Sequence, residues 1–367
     1  MNKSSKFIPA LTGIRAVAVY FIFFKHLNPF SFKTHPVLFL FVNQFYTFLD
    51  FFFVLSGFLI YYKYNQISDL NKTKLYNYFI NRISRVFPIL IILISATFFL
   101  DYFRGYYSAR ETIKYYLLNV TLLKGFSSWY ILTGIGPSWS MSVEELFYLI
   151  SPLIFFYSKK TFSLIKIILL FYAIGILITF AFSTHPFKGF FSSYIFTFDS
   201  TFFGRIFEFA CGIYLGMIVK GKITGKILSA LGKRSLYFGT CIILISLTLL
   251  LVISVNNNIF QAIAVWSGIV VNNILMPVGI TLLFYGLIYY KSFLQKFLSG
   301  KLMVQLGNAT YSFYLLHTTF VLSFILKFIS KNVFIAFITM IIISFIFHKI
   351  VEQPLTIFLR KKLSIKN

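Results

Sequence analysis

An arginine and a histidine inside an apolar, bilayer-length segment are costly unless protein or water receives them. The stretch Phe7 to Pro29, FIPALTGIRAVAVYFIFFKHLNP, carries both, as Arg15 and His26. Their eleven-residue spacing is about three helical turns plus roughly 20°, so both point from one face, ~16 Å apart along the axis. An imidazole with a reference pKa near ~6.5 can take and return a proton near neutrality. A guanidinium can hold a phosphate or a carboxylate. Together they predict an inward, partly wet stripe. The purely structural alternative has Arg15 snorkelling to the headgroups and His26 closing the outer end of the helix.

Other polar groups recur in equally apolar surroundings. Asp50 precedes FFFVLSGFLI and needs a partner or a proton at that depth. Ser56 and Gly57 are small enough to let a helix or a ligand approach the backbone. Arg82 and Arg85 lie three apart in NRISRVFPIL and share a helix face. They suit either a membrane-surface anchor or a clamp for an anionic donor. The run PSWSMSVEELFYLISP crowds Trp139, Ser140, Ser142, Glu144 and Glu145 at one helix entry. A capping box from Ser142 to Glu145 would account for one carboxylate, but not for the whole cluster in a chain with nine acids. Arg205 and Glu208 are spaced as an intrahelical ion pair, with Gly212 and Gly216 on the same face. His317 falls near the middle of an apolar run. His348 and Glu352, four apart, precede Gln353-Pro354 and could simply end a helix.

The elements that must position these groups are membrane helices. Of 367 residues, 58% are hydrophobic and 12% charged, about half the charge of a soluble domain. Fifty Phe and 24 Tyr exceed what a water-soluble core of this size could bury. The net charge of +25 sits in short clusters between apolar runs, which is a topology signal and speaks against nucleic acid. Cys211 and Cys241 lie inside apolar runs, so neither a disulfide framework nor a metal site is expected. No cleavable signal peptide is expected either.

Runs long enough to cross a bilayer fall near 8–28, 37–62, 79–100, 139–158, 163–183, 202–219, 236–255, 262–289, 307–330 and 333–351. The predicted fold is therefore all-α and polytopic, with about ten transmembrane helices in a single domain over 1–367. Lys3, Lys6, Lys72, Lys74, Lys159, Lys160, Lys220, Lys222, Arg360, Lys361, Lys362 and Lys366 then fall on one side. The positive-inside bias makes that side cytoplasmic, with both termini on it. In the long external connection 101–138, Tyr115 to Leu123 is too short to cross, and an amphipathic or re-entrant piece is expected. Asn272, Asn273 and Pro277 predict a broken helix within 259–289. The resulting polar path suits a transporter or an enzyme fed from both sides.

Arg15 and His26 resemble the Arg-x10-His signature of acyltransferase family 3, membrane acyltransferases that decorate bacterial surface polysaccharides. FFFVLSGFLI, the Arg82/Arg85 segment, WSMSVEELFY, the Arg205–Glu208 stretch, LGNATYSFYLLH and the closing VEQP are similar to that family's motifs, in its order. The resemblance implies transfer of an acyl group, usually acetyl from cytosolic acetyl-CoA, to a carbohydrate hydroxyl. The acceptor would be an O-antigen of lipopolysaccharide, a capsule, an exopolysaccharide or peptidoglycan. Acetyl-CoA would be a co-substrate, with no permanently bound cofactor and no metal. The setting would be the bacterial inner membrane, with membrane lipid around the chain. Some relatives carry a C-terminal hydrolase-like domain. Here 13 residues follow Pro354, and a stand-alone form is expected, working alone or with a separate periplasmic or extracellular transfer protein. Two positions depart from the pattern: Leu146 stands where Gln is common after the Glu pair, and Lys25 directly precedes His26.

A thioester is already activated, so the reaction needs a base for the hydroxyl and stabilisation of an oxyanion. His26 is the candidate base or transient acyl carrier, with Glu144 or Glu145 holding its tautomer. Arg15 would hold a CoA phosphate or orient a carboxylate. Arg82 and Arg85 are candidate donor-phosphate contacts, and Trp139 a sugar-stacking face. Ser56, Ser142, Arg205, Glu208 and His317 complete the candidate substrate-binding set. The competing class is an exporter or flippase of lipid-linked or polymeric saccharide.

Overall fold

In a bilayer no water is present to satisfy a free peptide group, so an uninterrupted apolar run closes its hydrogen bonds as a helix. The structure, a computed structural model, follows that rule almost throughout. It describes residues 7–69, 71–158, 160–185 and 187–365. Lys3, Lys6, Lys159 and Lys366 lie outside the described residues. Among the described residues the only β pairing is an isolated antiparallel bridge between Ser127 and Phe190.

In chain order the elements are α1 (Pro9–His26), α2 (Pro36–Ile67), α3 (Lys72–Phe103), α4 (Ala109–Val120), α5 (Trp139–Tyr157) and α6 (Thr161–Ser183). Then come α7 (Phe202–Val219), α8 (Arg234–Asn256), α9 (Trp266–Tyr289), α10 (Phe293–Leu298) and α11 (Lys301–Asn308). The chain closes with α12 (Thr310–Leu316), α13 (Phe320–Phe328) and α14 (Val333–Leu363). Nine of the ten expected runs each coincide with one helix, and the run 307–330 divides into α12 and α13. Among the described residues eight are long and apolar enough to cross a membrane, or nine if α12 and α13 count as one span bent by 74°. The run that falls short is α1, where Arg15, Lys25 and His26 dilute eighteen residues.

The chain divides into two compact units. The first comprises Met1–Gln66, Leu153–Ala173 and Phe203–Asn308. In it α1 packs against α10 and α11, and a Cβ on Gly13 would lie 2.0 Å from the Leu298 carbonyl oxygen. The α2–α7 crossing is as close: a Cβ on Gly57 would meet the Phe209 carbonyl at 2.2 Å, and one on Gly212 the Val54 carbonyl at 2.0 Å. The small residues in FFFVLSGFLI therefore serve helix packing.

The second unit comprises Ile67–Pro152, Ile174–Phe202 and Ala309–Asn367. Here the external connection folds inward. The amphipathic α4 is capped by Ser108 and Glu111, each side chain satisfying the other's backbone N–H. After it Leu122 takes a left-handed conformation (φ 59°), and a 3-10 turn (Leu123–Phe126) carries the fully buried Lys124. The Lys124 Nζ donates to the carbonyls of Thr133 (2.7 Å) and Ile135 (2.8 Å). Lys124, in the connection expected to lie outside the membrane spans, is thus an internal tie.

Two expectations about helix ends are corrected. The segment around Asn272 and Pro277 is not broken: α9 is continuous, with a π turn at Val271–Leu275. Likewise α14 does not stop at Gln353-Pro354 but passes through a π turn at His348–Glu352 and runs on to Leu363. The physical reason is common to both. A proline lacks an N–H and its ring crowds the carbonyl four residues back. For Pro277 and Pro354 that carbonyl belongs to Asn273 and Ile350, both inside a π turn, whose wider path makes room. The break falls elsewhere, after Leu316, where His317 caps α12.

Candidate active site

In the second unit, helix phase brings two faces together. Phe79, Arg82, Ile83 and Phe87 lie on one side of α3, and Ser142, Glu145, Leu146 and Leu149 on one side of α5. With Thr121, Leu122 and Phe126 of the inward turn and Tyr148 they line a cavity of about 290 Å³. Its deep end is polar: Arg82, Ser142 and Tyr148 are buried there. Its mouth is apolar and exposed, at Ile83 and Leu149. The Ser142 hydroxyl donates to the Leu122 carbonyl at 2.6 Å, which ties the turn over the cavity. The expected capping box at Ser142 is not formed, because α5 has already begun at Trp139.

Around that deep end, the Arg82 guanidinium lies over the Tyr148 ring, 5.4 Å from its centroid. The Tyr148 hydroxyl donates to the Glu144 carboxylate one turn back. The Tyr78 hydroxyl reaches the Tyr148 carbonyl (2.9 Å) and Ser151 Oγ (2.8 Å), clamping α3 to α5. Arg85, Trp139 and Glu144 are half-buried and do not line the cavity. The structure therefore separates members of pairs that the sequence could only treat together: Arg82 from Arg85, and Glu145 from Glu144.

His317 is fully buried at the break after α12. Its Nδ1 lies 2.7 Å from the Tyr314 carbonyl oxygen. A carbonyl only accepts, so Nδ1 carries a proton. Tyr314 in turn donates its hydroxyl to the Pro137 carbonyl at 2.7 Å and lies 2.7 Å from Ser140 Oγ. Tyr311 donates to the Val86 carbonyl of α3 at 2.5 Å. The short helix bearing His317 is thus bonded to both helices of the cavity. On α14, Glu352 Oε2 accepts from Ser312 Oγ at 2.5 Å and lies 2.9 Å from His348 Nδ1.

The first unit holds a separate polar cluster. Arg205 Nη1 donates to Glu208 Oε1 (2.8 Å) and to Asp50 Oδ1 (3.2 Å), with all three side chains buried. The intrahelical pair expected on α7 is present, and it also supplies Asp50 with a cationic partner. Behind it, Asn273 Nδ2 donates to the Gly204 carbonyl (3.2 Å), so the π turn of α9 supports α7. On α1, Arg15 is half-buried in mid-helix and His26 is the last helical residue, exposed. Ser56 is buried beside Gly57.

Sequence reasoning missed Tyr148, Tyr314 and Tyr311, whose hydroxyls join these elements. The four-residue spacing of Glu144 and Tyr148 was a readable signal. For the other two nothing local distinguishes them from the remaining tyrosines.

Residues 8–349 match the family model described as an acyltransferase domain, which covers nearly the whole chain. The chain matches no curated protein and no solved structure.

Proposed function

Because the chain belongs to the acyltransferase domain family, we propose that this membrane acyltransferase moves an acyl group, acetyl in the simplest case, from cytosolic acyl-CoA to a hydroxyl of a cell-surface carbohydrate. What carries the reading is the match over 8–349 together with Arg15 and His26 on a helix whose one other charged residue is Lys25.

In this reading His26, at the exposed end of α1, takes the proton from the acceptor hydroxyl as its oxygen attacks the thioester carbonyl. The carbon–sulfur bond breaks, the thiolate leaves with CoA, and a proton returns to it. Where His26 instead carries the acyl group, the same balance runs in two steps. Arg15, inward on the same helix, and the Arg82/Arg85 pair offer guanidinium groups for the donor's phosphates. Glu144 and Glu145 are the carboxylates available to orient an imidazole, and Trp139 offers a face for a sugar ring. Ser56, Arg205, Glu208 and His317 hold the surrounding helices and the acceptor. The working location is the bacterial inner membrane, with both termini cytoplasmic.

The exporter alternative drew on the transmembrane polar path and on a broken helix near Asn272 and Pro277, and α9 is continuous there. The two are separated by surface polysaccharide from a deletion strain complemented with wild type or His26→Ala. Acyl transfer predicts base-labile ester signals that vanish on deletion, return with wild type and stay absent with equally expressed His26→Ala. A loss of about 10²-fold or more is expected for removal of a general base. Esters unchanged while surface polymer falls would replace the acyltransferase reading with export.

A further inference from the structure

The last turn of α1 ends in Lys25 and the exposed His26. The loop that follows, residues 27–35, closes at its base. Asn28 Nδ2 donates to the Phe39 carbonyl at 3.0 Å, and the Phe30 N–H donates to Asn28 Oδ1 at 3.0 Å. Ser31 to His35 then stand clear and exposed, Lys33 among them. A second loop, 257–265, is held alongside. Gln44 Nε2 donates to the Phe260 carbonyl (3.1 Å), and Gln44 Oε1 accepts from the Ala262 N–H (3.2 Å). Phe32, Phe39 and Phe260 meet edge to face, with centroids 5.4, 5.6 and 5.7 Å apart. Of these rings, Phe32 is 47% and Phe260 58% exposed. Aromatic surface and positive charge thus share the end of the helix that carries the candidate base.

Charge on this unit is one-sided. Its segments hold two acids, Asp50 and Glu208. Both are buried and paired with Arg205. Among the described residues of the first unit, therefore, no carboxylate is exposed to offset Lys33. A positive patch of this kind draws in anions and disfavours cations. An exposed ring offers an apolar face to the C–H face of a sugar, while an amine takes a charged substituent. We propose that the patch binds an acidic saccharide, one whose carboxylate or phosphate lies within a sugar unit of the hydroxyl to be acylated. The assignment deepens the acyltransfer reading and rests on it for the reaction. Lys33 is the specificity-determining residue and meets the anionic group. Phe32 and Phe260 meet the sugar ring, and the hydroxyl is presented at the end of α1.

The test uses the full chain in nanodiscs of zwitterionic lipid, with acetyl-CoA as donor and three acceptors. These are a uronic-acid oligosaccharide, its carboxyl-reduced neutral counterpart, and that neutral oligosaccharide bearing a phosphate. At low salt an acidic acceptor is expected to exceed the neutral one about fivefold in kcat/KM, through KM, the scale of an exposed charge pair. The better of the two acidic acceptors identifies the anionic group. Salt at about 0.5 M should remove most of the advantage. Lys33→Glu should bring the acid-to-neutral ratio to one or below, and because the ratio is taken within each variant, the amount of folded protein cancels. Phe260→Ala should raise KM for acidic and neutral acceptors alike. A wild-type ratio of one at low salt, or a preference that Lys33→Glu leaves intact, overturns the proposal. So does a Lys33→Glu effect confined to binding of anionic-lipid vesicles, which would assign the lysine to headgroups. A wild type that acylates none of the three acceptors removes the acyltransfer reading instead. The patch is then judged by saturable binding of the uronic-acid oligosaccharide in saturation-transfer NMR. Lys33→Glu should abolish that binding, and equal binding by both proteins overturns the site as well.

Discussion

At Lys124 an amine is held between two backbone carbonyls, at 2.7 and 2.8 Å, with no exposed surface. Burial pushes its pKa down from 10.5 to about 7, because a desolvated ammonium is disfavoured. The unfolded chain therefore binds more protons between about 7 and 10.5, and stability rises with pH across that window. Below about pH 7 both states are protonated, and the cost of burying the charge is constant. The expected outcome is a melting temperature in detergent that climbs from pH 7 to pH 10 more steeply for wild type than for Lys124→Met. The variant leaves the Thr133 carbonyl without that donor, a loss of about 1–3 kcal/mol. Its deficit against wild type should therefore be largest at the alkaline end. Parallel slopes for the two proteins would show that Lys124 does not titrate in this range. The residue also marks the limit of sequence reading. Its neighbours Leu123 and Phe126 are apolar, but nothing local says that the whole turn folds inward. Asp50 is the opposite case: its need for a partner was legible, and Arg205 supplies it from 155 positions away.

Among the helices, phase was easier to read than neighbours. The spacing of Ser142, Glu145 and Leu149 defines one side of α5 from sequence alone. That this side meets Arg82 and Phe87 of α3 follows from tertiary packing, to which periodicity is blind. Close approach, by contrast, leaves a sequence trace in small residues. Gly57 and Gly212 were visible as such, and each lets a neighbouring backbone come within what would be a Cβ's radius. Gly212→Val is accordingly expected to disrupt the α2–α7 crossing, at a cost above the 1–3 kcal/mol typical of an overpacked core, because the clash is with backbone. Loss of the monodisperse peak on size-exclusion chromatography would be the readout. Cys211→Val, one position earlier, tests whether the effect belongs to the glycine face, and it should elute like wild type. The helix breaks were misplaced for a reason of the same kind. Proline and asparagine signal a stop in a water-exposed helix, whereas a π turn lets a buried one continue.

For the molecule as a whole, apolar run length told most of the story. Nine of the ten runs became one helix each and the tenth, 307–330, a bent pair, while the connection 101–138 holds no helix of its own long enough to cross. The weakest span by apolarity is α1, the helix that also bears Arg15 and His26. Whether it crosses decides the parity of the topology. If α1, the eight long helices and the bent α12–α13 pair all traverse the membrane, both termini share a side. The charge bias is the ground for proposing the cytoplasm as that side. A fluorescent protein that matures only in the cytoplasm should then report from both ends, and an alkaline phosphatase from neither. A split result, with one end external, would mean an odd number of crossings and would single out α1 or the bent pair.

The π turns before Pro277 and Pro354 bear on how this chain can change. Each holds one residue more than an α-helical path of the same rise would use. Exchanging one apolar side chain for another there alters little, since the widened path is a matter of count. Removing a residue between His348 and Glu352 would close that turn to an α-helical one and leave what lies beyond nearly in place, whereas removing one just after it would rotate everything beyond by about 100°. Arg360, which now donates to the Asn81 carbonyl at 3.3 Å, would face another way. At these two places the chain absorbs a change of length that the helix on either side would pass on.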